Sequence, residues 1–357
     1  MDHDSTIRDE IAHELTATPF ACSSLIKLSG GTANFVYRGV LAEQPDKSVV
    51  VKHTKDYAAS NTALRLDAAR CKFEAAIIES LHELPPLSLA GLTVHTPRLL
   101  HFSTTTLTQI VEDLPHAVDL KSYLLSEQGR TLSQPIAHAL GRVLGAWLRS
   151  FHTWGKDDAP DVAARMQQNM TMKKLKHHVN YGFLLETINN FPHLLEGSRN
   201  VFTQVTDMAA AELDIHEGEM YGLIHGDFWT GNILVSTPLT RLFVVDWELV
   251  HVGHRALDLG QMIAELYETT LFKDVTAGEW IVQGFAEGYG PLSDAMAFRT
   301  ALHVGTHLVC WGSRVPGWGT PKQIEQVVER GRDFILRGWE KDRAWFKTGA
   351  LGCLFTE

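Results

Sequence analysis

The pattern of apolar and polar positions divides the chain into two textures. Residues 5–17 carry Ile7, Ile11 and Leu15 four apart, the spacing of an amphipathic helix. CSSLIKL and NFVYRGVLA then alternate as two strands around Ser29-Gly30-Gly31-Thr32, a hairpin whose loop is longer than the tightest turns. After a turn at 44–47, SVVVKHT is a third strand, mostly apolar but holding Lys52. A long helix is predicted from roughly residue 62 to 84, with Phe73, Ile77 and Leu81 on one stripe and Pro85-Pro86 as its stop. PRLLHF and TLTQIVE are two more strands, and EDLPH is a short polar connector. This order describes a small antiparallel sheet with one helix packed on it.

Beyond Leu114 the periodicity becomes helical. TLSQPIAHALGRVLGAWLRSFHTW places Leu140, Leu144 and Leu148 on one stripe, with Val143 and Trp147 beside it. Residues 161–216 are mostly helical with a loop near 189–192, and helices are predicted at 255–271, 276–289, 292–312 and 322–346. One stretch interrupts them, LIHGDFWTGNILVSTPLTRLFVVDWE at 223–248. A loop with His225, Asp227 and Asn232 leads to an apolar run at 233–235, a turn at Pro238, and a second run at 242–245 that ends in Asp246, Trp247 and Glu248. Paired as a hairpin, the two runs gather Asp227, Asn232 and Asp246 at one end. Carboxylate and amide oxygens of that kind suit a hard cation such as Mg²⁺, which keeps phosphate as a further ligand.

The expected organisation is bilobal and α+β. A small N-lobe spans 1–114 and a larger, mainly helical C-lobe spans 115–357, with the boundary at 110–116. A short connector between two lobes predicts a cleft, where ligands usually bind.

Composition narrows the function. The 357 residues are 45% hydrophobic and 21% charged, an ordinary globular balance without disordered bias. A formal charge of −10 argues against nucleic acid as a partner and mildly favours a cationic small molecule. Four scattered cysteines, Cys22, Cys71, Cys310 and Cys353, match neither metal spacing nor a disulfide framework, so a reduced, cytoplasmic setting is expected. The acidic start MDHDSTIRDEIAHEL is not read as a signal peptide, and no apolar run predicts a membrane span. The sequence leaves the oligomeric state open.

Four features converge: a glycine loop, a strand lysine, a helix glutamate and the acidic hairpin. The stretches LSGGTANFVYR, VVVKH, FEAAIIESL, IVEDL, LIHGDFWTGNILV and VVDWELVHVGHRALDLG resemble the aminoglycoside phosphotransferase and choline kinase-like family, the small-molecule branch of the protein-kinase-like fold. Asp-x-Glu at Asp246–Glu248 is closer to the methylthioribose kinase and choline kinase branches, and HGDFWTGN is also similar to ketosamine kinases.

The resemblance implies Mg²⁺ and ATP, with a small-molecule hydroxyl as phosphate acceptor. Asp227 would be the catalytic carboxylate that orients the acceptor hydroxyl and takes its proton, while Asn232 and Asp246 would hold metal. Glu248 would be a further metal carboxylate, or a solvated residue leaving a strand. His225 and Asp258 would brace the catalytic loop. Lys52 would meet the α- and β-phosphates, steadied by Glu74, for which Glu79 is a rival and Arg70 an alternative helix partner. Backbone N–H groups of Gly30, Gly31 and Thr32 would approach the phosphates, with side-chain donors from Thr32 and Asn34. The backbone at Glu112 and Leu114 would recognise adenine.

Trp311, Arg314 and Trp318 are candidates for the acceptor pocket, or core. Acceptors open to such a family are a sugar or thiosugar, an amino alcohol, an aminoglycoside-like compound, a hydroxylated aromatic amine or a glycated amine. The rival class is a nucleotide-binding regulatory module without catalysis, which the loss of Lys52, Asp227, Asn232 or Asp246 would favour. All four are present.

Overall fold

The computed structural model describes residues 3–28 and 30–356; Ser29 of the expected glycine loop lies outside the described residues. The chain divides into two compact units, Met1–Glu83 with Thr96–Ala117, and Leu84–His95 with Val118–Glu357.

The smaller unit is built on a five-stranded antiparallel sheet. Its order is Cys22–Lys27, Phe35–Leu41, Ser48–His53, Thr108–Glu112, Leu99–Ser103. Successive strand residues face opposite sides, and both faces are used. Val49 and Val51 join Phe35, Tyr37 and Ile110 in a core with Ile7, Ile11 and Leu15 of the helix His3–Leu15. The alternate positions carry Lys52, paired in register with Gln109, towards the helix Arg70–Ser80.

That second helix begins later than its periodicity predicts. Residues 61–65 form a strand instead, paired with Tyr57–Ala58 in an exposed hairpin. The Asp67 carboxylate then accepts from the Ala69 N–H, turning the chain just before the helix starts. Local pairing and turn chemistry override the helical propensity of ALRL.

The larger unit holds the hairpin on which the sequence turns. Ile233–Val235 pairs antiparallel with Arg241–Val244 in the register Ile233 to Val244, Leu234 to Phe243, Val235 to Leu242. A neighbour on this sheet is unexpected. Leu87–Leu89 and Leu92–His95 form a second hairpin, and the latter strand runs parallel to Arg241–Val244. Ala90 and Gly91 both have positive φ at its turn (53° and 80°), the pairing that two-residue hairpin loops demand. The segment between Pro86 and Thr96 therefore belongs with the larger unit, on the far side of the 114–115 boundary in sequence.

Two helices form the backbone of this unit, Gln134–Asp157 and Ala277–Tyr289. Leu140, Val143, Leu144, Trp147 and Leu148 are all buried. Their crossing is close because each helix presents two glycines four residues apart. A Cβ at Gly141 or Gly145 would lie 2.0 and 2.1 Å from the carbonyl oxygens of Ile281 and Phe285. A Cβ at Gly284 or Gly288 would lie 2.1 and 2.0 Å from those of His138 and Arg142. Any side chain at these four positions would force the helices apart.

Helices Ala256–Lys273, Asp294–His307 and Pro321–Trp339 follow. The helix expected over 322–346 breaks after Trp339. Lys341 adopts a positive φ of 55°, and the Asp342 carboxylate caps a new helix by accepting from the Trp345 N–H at 3.1 Å.

Candidate active site

The loop His225–Asn232 sits between the strand Tyr221–Ile224 and the hairpin, and its shape follows from its residues. Gly226 has φ +80°, and a Cβ there would meet the Leu249 carbonyl at 2.2 Å, so glycine is required. Phe228 is fully buried and stacks on Trp147, with ring centroids 6.2 Å apart. Asp258, near the start of the helix Ala256–Lys273, accepts from the backbone N–H groups of His225 (2.8 Å) and Gly226 (2.9 Å). This is the bracing role that the resemblance implies. Burial opposes ionisation of Asp258, but the hydrogen bonds from His152 and from the His225 backbone hold the carboxyl below the usual range.

His225 is a second brace. Its Nε2 lies 3.1 Å from the Val245 carbonyl and its Nδ1 accepts from the Asp227 N–H at 3.2 Å. Those partners require a neutral ring protonated at Nε2, and burial lowers the imidazole pKa in agreement.

The Asp227 carboxylate is thereby presented in a fixed orientation. Oδ1 accepts from Gln261 Nε2 at 2.8 Å and lies 3.5 Å from Lys176 Nζ. Oδ2 accepts from Asn232 Nδ2 at 3.0 Å, and the same Nδ2 donates to the Asp227 carbonyl at 2.9 Å. Lys176 Nζ in turn donates to Gln261 Oε1 at 2.5 Å. Burial lowers the pKa of Lys176 while Asp227 and Asp258 oppose that shift.

Lys176 and Gln261 were not found by sequence reasoning. Gln261 carried one signal, its position three residues after Asp258 on the same helix face. Lys176 lies in the run KKLKHH and carried none.

Asp246 leaves the second strand with φ +65°, a left-handed conformation that costs a non-glycine residue roughly 1–2 kcal/mol. The surroundings hold the turn. Trp247 is fully buried against Trp147, Phe151 and His225, and its Nε1 donates to the Val244 carbonyl at 3.2 Å. Asn169, also missed from sequence, donates from Nδ2 to the carbonyls of Glu248 (3.1 Å) and Val250 (2.9 Å). The carboxylates of Asp246 and Glu248 bring oxygens within 4.8 Å of each other, and Glu248 is buried rather than solvated.

The donor set fits a hard divalent cation. It offers two carboxylates and the Asn232 amide, whose nitrogen is committed to Asp227 so that its oxygen is the atom left for a ligand.

In the smaller unit, Lys52 Nζ lies 2.7 Å from Glu74 Oε1, and Gln109 Nε2 donates to Glu74 Oε2 at 3.0 Å. Glu79 is exposed on the other side of its helix. In the glycine loop, Gly30 has φ +101°. The Thr32 carbonyl accepts from the Ser60 N–H and hydroxyl. Asn34 is buried, and its Oδ1 accepts from Thr54 (2.9 Å) and from Arg70 (3.0 Å). Arg70 also donates to the carbonyls of Ala33, Lys55 and Asp67, which ties the loop to its helix.

At the connector, Glu112 donates its N–H to the Arg98 carbonyl, and Leu114 donates its N–H to the Asp113 carboxylate at 2.8 Å. Asp113 is itself held by Arg38 and Ser48.

Trp311, Arg314 and Trp318 each make separate polar or ring contacts. Arg314 lies over the Phe183 ring and Trp311 donates to Asn180, whereas Trp318 donates to Glu268.

The chain belongs to the phosphotransferase enzyme family, whose family model matches residues 25–299. It is 31% identical to the phosphotransferase FrzJ of a Cladobotryum species, over 97% of this chain and 95% of that protein. It is 25% identical to a 4-hydroxytryptamine kinase of Psilocybe cyanescens, over 89% of this chain and 88% of that one. Among solved structures, the GDP complex of an aminoglycoside 2'-phosphotransferase-IIIa variant superposes with a TM-score of 0.52 at 15% identity, covering 96% of this chain and 99% of that one. The fold is the bilobal, protein-kinase-like α+β fold of these phosphotransferases. Among the described residues, no helix is long and apolar enough to cross a membrane.

Proposed function

We propose that this phosphotransferase uses Mg²⁺ and ATP to phosphorylate a hydroxyl group of a small molecule, with a hydroxylated aromatic amine as the favoured acceptor. One observation carries the reading: both oxygens of Asp227 are held, by Gln261 and Lys176 on one side and by Asn232 on the other. Phosphoryl transfer asks little covalent chemistry of the protein and much positioning, so a carboxylate fixed in this way fits an acceptor-orienting base.

Asp227 aligns the acceptor hydroxyl and receives its proton. Asn232 and Asp246, with Glu248 beside them, would hold Mg²⁺, which neutralises charge on the transferring phosphoryl group. Lys52, kept in place by Glu74 and Gln109, meets the α- and β-phosphates. Gly30, Gly31 and Thr32 supply backbone donors to the phosphates. An adenine edge bound by the backbone at Glu112 and Leu114 would take the Leu114 N–H from Asp113. The resemblance to a 4-hydroxytryptamine kinase and the net charge of −10 both favour a cationic amine over a neutral sugar. Four free cysteines fit a reduced, cytoplasmic setting.

The test is ATP consumption against a library of hydroxylated amines, amino alcohols, sugars and glycated amines, run beside Asp227→Asn. The variant should keep Mg·ATP binding and lose turnover by about 10³-fold or more. Undiminished turnover in Asp227→Asn, or a wild type whose melting temperature ignores Mg·ATP, would sink the reading.

A further inference from the structure

The helix that carries Asp258 and Gln261 continues with Glu265 and Glu268 on the same face. At a rise of 1.5 Å per residue they stand about 6 and about 10 Å along the axis from Gln261, the partner of Asp227. Glu265 Oε2 lies 3.0 Å from Lys121 Nζ, and its Oε1 lies 3.0 Å from His307 Nε2. Glu268 Oε2 accepts from Trp318 Nε1 at 2.8 Å, while its Oε1 is buried without a hydrogen-bond partner.

The Lys121 ammonium lies over two indole rings as well, 4.2 Å from the centroid of Trp318 and 5.3 Å from that of Trp229. Trp229 belongs to the catalytic loop, two residues after Asp227. Two aromatic faces and a carboxylate are the elements that recognise an ammonium ion. Lys121 keeps about a fifth of its side chain exposed, so the cage meets solvent at the lysine itself.

A second lysine borders the cage, with Lys273 Nζ 5.1 Å from the centroid of Trp318. Burial, and then the charge of Glu265, drive the Glu268 carboxyl well above the usual range, and Lys121 offsets this only in part. An unsatisfied buried carboxyl oxygen beside an internal ammonium is a costly arrangement for a purely structural cluster.

Resting on the kinase reading above, we propose that this cage is an ammonium subsite for the acceptor, held here by the chain's own Lys121. The acceptor ammonium displaces Lys121 and settles between Trp229, Trp318 and the two glutamates, while the acceptor hydroxyl reaches Asp227. A hydroxylated aromatic amine, the acceptor class proposed above, carries both groups. Lys121 is then an internal competitor of the substrate.

Tryptamine and its neutral counterpart indole-3-ethanol test this without ATP, by calorimetric titration of the full chain. The wild type should bind tryptamine at least tenfold more tightly than the alcohol. Glu268→Gln, which can still accept from Trp318, and Trp229→Leu should bring the two ligands near parity. Lys121→Met should tighten tryptamine severalfold and leave the alcohol unchanged. Melting temperatures near that of the wild type establish that each variant is folded. Parity in the wild type, an unchanged preference in Glu268→Gln, or weaker tryptamine binding in Lys121→Met overturns the proposal. Phosphoryl transfer from ATP is scored separately. A cage that discriminates amines in a chain without turnover would count against the kinase reading alone, and turnover with parity would count against the cage alone.

Discussion

Gln261 donates to the same Asp227 oxygen that faces Lys176, at 2.8 and 3.5 Å. An amide and a cation therefore set the direction of one carboxylate. Removing either should misalign the base without dismantling the nucleotide-binding residues. Gln261→Leu and Lys176→Met should each lower kcat by roughly 10- to 100-fold, with KM for ATP little changed. Steady-state kinetics with saturating acceptor checks this, and a rise in ATP KM with kcat intact would contradict it.

Asn232 and Asp246 are proposed to hold metal rather than to take part in proton transfer. Asn232→Ala and Asp246→Ala should bind ATP weakly with or without Mg²⁺, where the wild type gains stability from the metal complex. Saturation at a hundredfold over Kd is worth about 2.7 kcal/mol, a shift easily read in a thermal melt. A full Mg²⁺-dependent shift in Asp246→Ala would remove it from the metal site.

Lys52 and Glu74 form a nearly buried ion pair, with side chains 12% and 3% exposed. Lys52→Met should raise KM for ATP about tenfold or more, since a charge-assisted contact to phosphate is lost. Glu74→Gln should act in the same direction but less strongly, because Gln109 still has an oxygen to bind. Equal ATP affinity in Lys52→Met would refute the assignment.

The crossing of the helices Gln134–Asp157 and Ala277–Tyr289 tolerates no Cβ at Gly284. Gly284→Val should destabilise the protein by roughly 1–3 kcal/mol or more, measured by urea unfolding. A stability within experimental error of the wild type would mean the helices can separate freely.

Acid should weaken the fold. His251 is buried with Nδ1 on the Leu249 carbonyl at 2.7 Å, and burial lowers its pKa from 6.5 to about 4. The unfolded chain therefore binds this proton before the folded one does. The contribution is complete above pH 6.5 and is lost as pH falls towards 4. The melting temperature should drop between pH 7 and pH 5. His251→Gln should be less stable at pH 7.5 yet show a shallower drop; an unaltered slope would show that His251 takes no part.

Much of the local architecture was legible because it rests on short-range rules. The alternation around Lys52, the stripe of Leu140, Leu144 and Leu148, and the hairpin from Ile233 to Val244 each follow from a period of two or of 3.6 residues. Misreadings fell where local signals compete. ALRL has helical propensity but pairs with Tyr57–Ala58, and Lys341 breaks a helix whose apolar stripe runs on. The Ala90-Gly91 turn could have been read from LSLAGLTV, yet its parallel partner could not.

By itself the sequence determined which groups the chain possesses for the proposed phosphoryl transfer, Asp227, Asn232, Asp246, Lys52 and the glycine loop, within a stretch that marks its family. Tertiary structure alone decided what those groups touch. Gln261 and Lys176 lie 34 and 51 residues from Asp227 in sequence, and Asn169 lies 79 from Glu248. No local period encodes such a contact. It depends on how helices pack, and close approaches such as Gly284 on His138 are part of that packing.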